Sequence, residues 1–140
     1  MLKSKILIVF FLTIFITGCT VYSELYIRNT TNIPTQISLI SYQDVKGKPF
    51  EFMYADSLFK EIRYKTYNYL DKKLSVKAQS KIVIVTIPAN ATLHLGAGRN
   101  FQKQFEKMVI GVDTIDLNTT GGFQTSYEKF SKYAVWYDIK

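Results

Sequence analysis

One cysteine, Cys19, and one histidine, His94, occur in 140 residues. A lone cysteine excludes an intramolecular disulfide. Together the two side chains also fall short of the three or four ligands that a zinc site needs. A nucleophilic triad requires a histidine bonded to both a nucleophile and an orienting acid. No nucleophile-elbow motif accompanies His94, which lies between Leu93 and Leu95 and so faces the opposite way; an edge or surface strand position is expected. Gly96-Ala97-Gly98 lacks the third glycine and the following helix of a dinucleotide loop, and position 101 is Phe. Asp113 and Asp116, three apart on a strand, point to opposite faces, so a paired-carboxylate glycosidase site is not supported. No run of five basic residues marks a nucleic-acid footprint, and no apolar run reaches the roughly 20 residues of a membrane-spanning helix. Heptads, internal repeats and low-complexity tails are absent. The expectation is a chain that is not an enzyme, with no cofactor and no metal.

What the sequence does contain begins at its N-terminus. Lys3 and Lys5 precede Ile6–Ile16 (ILIVFFLTIFI), an apolar run broken only by Thr13, followed by Thr17, Gly18 and Cys19. A charged start, a short apolar middle and a small residue at the exit describe a secretory signal. Ile16-Thr17-Gly18-Cys19 resembles the lipobox of bacterial lipoproteins. The resemblance implies cleavage between Gly18 and Cys19 and a diacylglycerol on the Cys19 thiol, which also removes a free thiol from an oxidising compartment. At about 0.8 kcal/mol per buried methylene, two or three acyl chains anchor a protein effectively permanently. The alternative is an ordinary signal peptide with a coincidental cysteine. Thr20 follows, and no acidic cluster comes next, so by the same resemblance the outer membrane, facing the periplasm, is the expected address. Removing residues 1–18 takes away two lysines and no acid. The mature chain then has 16 basic and 11 acidic side chains, net +5 against +7 for the whole.

The rest reads as short strands between turns: residues 1–18 signal, 19–23 tether, 24–140 one domain. Leu25 and Ile27 share a face. Asn29-Thr-Thr-Asn32 is a turn, and Pro34 opens a strand in which Ile37 and Leu39 alternate with Gln36 and Ser38. After a loop over 44–49, Phe50, Phe52 and Tyr54 alternate with Glu51 and Met53. A short helix is expected to start near Ser57. The β-branched run Lys81–Ile87 (KIVIVTI) predicts a central strand buried on both faces. A further strand is predicted over Met108–Leu117, with Met108, Ile110 and Val112 in register. At the C-terminus, Tyr133, Val135, Tyr137 and Ile139 alternate with Ala134, Trp136 and Asp138. Asp116, Asn118, Thr120 and Gly121 have EF-hand-like spacing, but the twelfth position is Tyr127, so a turn is expected. Asn29, Asn90 and Asn118 begin glycosylation triplets that are read as turns in a bacterial context. The fold class expected is all-β: an antiparallel β-sandwich, immunoglobulin- or transthyretin-like, with one short helix.

Beyond the lipobox, the element order is similar to the small outer-membrane lipoproteins of type VI secretion membrane complexes. The similarity runs through PTQISLISYQ, a Phe-rich segment ending in Ser57-Leu58-Phe59, and Ile87-Pro88-Ala89-Asn90 before a Leu-rich strand. It spans most of the mature chain, with departures at Ile87–Asn90, where that family more often has a Pro–Gly turn, and at Trp136-Tyr137. The resemblance implies a membrane-anchored, non-enzymatic docking part with an envelope protein partner. The docking surfaces expected are the polar loops holding Gln43, Asp44, Lys46 and Lys48, and Gly96–Asn100 with Arg99 and Asn100. A second reading is a lipoprotein that binds glycan or another envelope polymer through exposed aromatics, Trp136 among them.

Overall fold

The computed structural model describes residues 22–99, 104–119, 121–128 and 132–140. Cys19, Gly18 and Asn100 lie outside the described residues. Ten strands follow one another: β1 (Tyr22–Asn29), β2 (Thr35–Ser41), β3 (Pro49–Ala55), β4 (Lys72–Lys77), β5 (Ile82–Ile87), β6 (Ala91–Arg99), β7 (Phe105–Ile110), β8 (Asp113–Asp116), β9 (Gln124–Glu128) and β10 (Lys132–Ile139). They form a six-stranded sheet, ordered β4-β3-β6-β1-β10-β9, and a four-stranded sheet, ordered β5-β2-β7-β8. The all-β sandwich expected from the alternating pattern is present. One pair departs from antiparallel order: β1 and β10, first and last in the chain, run parallel, from Tyr22↔Lys132 to Asn29↔Ile139.

Period-two alternation places the core. Leu25, Ile27, Leu93, Leu95, Val135 and Ile139 point from the large sheet to Ile37, Leu39, Val83, Val85, Phe105 and Met108 of the small one. Burying such a side chain fully contributes about 1.5–3 kcal/mol. Phe50, Phe52 and Phe105 close one end, with ring centroids 5.6–6.4 Å apart.

Three expectations are corrected. The helix does not begin near Ser57. Residues 56–63 are irregular and a 3-10 turn occupies Tyr64–Tyr69, followed directly by β4; the aromatic and β-branched residues there disfavour an α-helix. Lys81–Ile87 is not a central strand. β5 is an edge strand in which Val83, Val85 and Ile87 are buried, while Ile82 and Ile84 remain 42% and 37% exposed. Met108–Leu117 is a hairpin instead of one strand. It turns at Gly111-Val112, where Gly111 takes φ 59° and Val112 does not share it, the arrangement of a II′ turn.

Residues 56–71 form a strap over the outer face of the large sheet. Under it lies a second apolar cluster of Tyr26, Ala55, Ile62, Leu70, Ala134 and Trp136. Side chains of the sheet fasten the strap's backbone. Thr92 Oγ1 donates to the Ser57 carbonyl at 2.8 Å, Ser126 Oγ to that of Ile62 at 2.5 Å, and the Tyr67 N–H donates to Tyr26 Oη at 3.0 Å.

Candidate functional site

A cleft of about 830 Å³ opens at the end of the sandwich where β1 begins. Strand direction explains its composition. β1 enters with Tyr22 and Glu24, antiparallel β6 leaves with His94–Ala97, and β3 starts beside them with Pro49–Met53; Ser41–Gln43, Val45 and Lys48, from the β2–β3 connection, form another wall. Tyr67 reaches in from the 3-10 turn.

The register between β1 and β6 slips at Leu25/Tyr26, so Tyr26 pairs with His94 while Glu24 pairs with Ala97. Such a bulge re-aims a side chain. Here His94 Nε2 meets Glu24 Oε2, with only 13% and 11% of the two side chains exposed. The Tyr26 and Tyr67 rings flank the imidazole at 5.1 and 4.7 Å between centroids. His94 is therefore neither at an edge nor on the surface, as its sequence context suggested, but half-buried on a central strand. Burial pushes the Tyr26 phenol well above its ordinary pKa, and the Glu24 carboxylate adds to that. Tyr22 is raised by burial first, then by Glu24 and Tyr64. Both phenols therefore stay neutral near pH 7.

Of the residues expected to dock a partner, Gln43 and Lys48 line this cleft. Asp44 and Lys46 belong to the same exposed loop but do not line it; Asp44 Oδ1 accepts the Lys46 N–H at 2.9 Å in a local turn. The expected Gly96–Asn100 loop is corrected to strand as far as Arg99, because pairing with β1 continues to Tyr22↔Arg99. Even so, Gly96 and Ala97 line the cleft. Two segments far apart in sequence thus meet at one site.

No family model, curated protein or solved structure matches the chain. Among the described residues no helix is long and apolar enough to cross a membrane, and no three His, Cys, Asp or Glu side chains gather as a metal site.

Trp136 is unsuited to the glycan-platform role. It is 8% exposed beneath the strap, with the Arg28 guanidinium 5.7 Å from its ring centroid. Arg28 in turn forks onto Asp138, Nε to Oδ1 and Nη2 to Oδ2, both at 2.6 Å, and donates from Nη1 to the Phe59 carbonyl at 2.7 Å. Asn29 is equally unsuited to carry a glycan: it is buried, and its amide donates to the Ile33, Ile87 and Pro88 carbonyls. The Glu24–His94 pair escaped the sequence reading. Only the shared outward parity of Glu24 and His94 hints at it, and the bulge that joins them leaves no local mark.

Proposed function

We propose that the chain is a bacterial envelope lipoprotein, lipid-anchored through Cys19, whose sandwich is a non-enzymatic docking part. The cleft at the start of β1 receives a segment of an envelope protein partner. The observation that carries this reading is the meeting of the Gln43–Lys48 connection and the end of β6 in one cleft that also contains Tyr22. Cys19 precedes Tyr22 by three residues, which reach at most about 11 Å however they run. With Cys19 lipidated, the cleft opens close to the membrane, so the partner segment is one that reaches the membrane surface. The outer membrane, facing the periplasm, is the proposed address. A place in the membrane complex of a type VI secretion system is the narrower form of the same proposal.

Exposed Tyr42 and Tyr67 on the cleft rim, beside Gln43 and Glu51, support one alternative, a glycan stacked on tyrosine. A photo-crosslinking side chain placed at Gln43 in growing cells separates the two. A single envelope protein captured from position 43, and not from Thr114 on the opposite sheet, supports docking. Capture of glycan at position 43 supports the alternative, and capture of neither removes the cleft from the account.

A further inference from the structure

Four strands end the two sheets, and their sequences treat the open edge differently. β4 (KKLSVK) carries Lys72, Lys73 and Lys77, all exposed. β8 (DTID) is four residues long, with exposed Asp113 and Asp116. β9 (QTSYE) is five residues long and ends in Glu128. Charge and brevity are the usual means of keeping an edge from pairing with another chain. β5 (IVIVTI) has neither. Its outward side chains are Ile82, Ile84 and Thr86, all exposed. On the outer face Ile82 lies across from Ile40, and Ile84 lies across from Ser38, which is followed by Val109 on β7.

The backbone of β5 offers the matching half. Ser41 N–H donates to the Lys81 carbonyl at 2.8 Å, and Ile82 exchanges both of its bonds with Gln79, at 2.8 and 3.0 Å. Alternation then turns the N–H and C=O of Val83, Val85 and Ile87 towards β2, and those of Ile84 and Thr86 away from it. No described residue pairs with the outward groups of Ile84 and Thr86.

From this edge we infer that β5 is a self-association surface, and that its occupant is β5 of a second copy of this chain. Ile84 and Thr86 stand symmetrically about Val85. A twofold axis through Val85 places Ile84 of one copy opposite Thr86 of the other in antiparallel register. Each such pair exchanges two hydrogen bonds, and the two small sheets become one continuous sheet. Pro88, which has no N–H, ends the pairing on one side, and the Gln79–Ile82 bridge ends it on the other. The uncharged edge lets two copies approach where lysine-bearing β4 would repel. This surface is separate from the cleft and does not depend on the docking reading.

The test is disulfide formation in native membranes of cells making the full chain with Ile84→Cys and Thr86→Cys together. Ready oxidation to a covalent dimer is expected, with none from Lys73→Cys and Lys77→Cys on β4. The second arm is chemical crosslinking of the chain with its natural Ile84. Ile84→Pro, which removes one outward N–H from each copy and so two hydrogen bonds from the pair, is expected to lower the dimer yield by about tenfold. Thr86→Pro, which removes one outward N–H, is expected to act in the same direction. Because both positions are exposed, an unchanged melting temperature checks that the variants fold. The inference is overturned by a dimer yield indifferent to both substitutions, by a chain that is monomeric in the membrane, or by position 84 linking only to a different protein.

Discussion

Arg28 ties the strap to the large sheet. Its guanidinium joins β10 through Asp138, the strap through the Phe59 carbonyl, and the face of Trp136. Arg28 and Asp138 are register partners across the parallel β1–β10 pair, which aims both side chains under the strap. Removing one member of a half-buried, bidentate pair leaves the other charge uncompensated, so Arg28→Ala is predicted to cost about 1–3 kcal/mol in urea unfolding. Trp136 is the only tryptophan, and its emission should shift to the red in the same variant. Asp138 also sets an acid limit. Burial works to raise its pKa, but the hydrogen bonds and charge of Arg28, helped by Gln124, outweigh burial and hold it below the ordinary carboxylate value. The folded form therefore binds this proton less readily than the unfolded chain does. The stability it contributes is full above about pH 4, the unfolded value, and is lost as pH falls through the lower folded one. An acid titration of Trp136 emission should show a transition below about pH 4 that is missing in Asp138→Asn.

Among the elements, alternation in the sequence marks some strands plainly and leaves others hidden. Strands β2 and β3, with one buried and one more open face, are plain from alternation, because one side chain in two must leave water; β1 and β10 also alternate, although the strap buries much of their second face. β5 reads as a central strand because Ile82 and Ile84 carry the same β-branched character as the buried Val83 and Val85; nothing local tells an uncovered aliphatic face from a covered one. The β7–β8 hairpin was hidden by Val112, which continues the apolar alternation through the turn, although Gly111 marked it. Gly111→Ala, strained at φ 59°, is predicted to cost about 1 kcal/mol in thermal or urea unfolding. The strap was the largest omission. Its hold depends on Thr92, Ser126 and Tyr26, side chains 33 to 64 residues from the groups they bind. Ile62, completely buried beneath it, is the apolar peg. Ile62→Ala should destabilise the domain by roughly 2–4 kcal/mol, measured by the urea midpoint at unchanged slope. The same burial explains why Trp136, outward on β10, could not serve as a sugar platform. Half of the cleft was visible beforehand, since Gln43 and Lys48 stood out as a polar loop; the Glu24–His94 pair was not, because a bulge brings it together.

At the scale of the molecule, the first and last described strands lie side by side and run parallel. β1 lies at the centre of the large sheet, between β6 and β10, so the strand that leads from the N-terminal segment is among the most firmly held parts of the domain. A pull on the residues before Tyr22 acts on a strand bonded along its length by β6 on one side and β10 on the other. Such an attachment suits the lipid tether proposed at Cys19, three residues before Tyr22. Everything proposed about partner and place follows from that tether. The direct measurement is the intact mass of the protein extracted from the membranes of the bacterium that makes it. The account predicts a chain beginning at Cys19 and heavier than its sequence by a diacylglycerol, with or without an added acyl group. A chain that still begins at Met1, or one cut elsewhere with an unmodified Cys19, would contradict it.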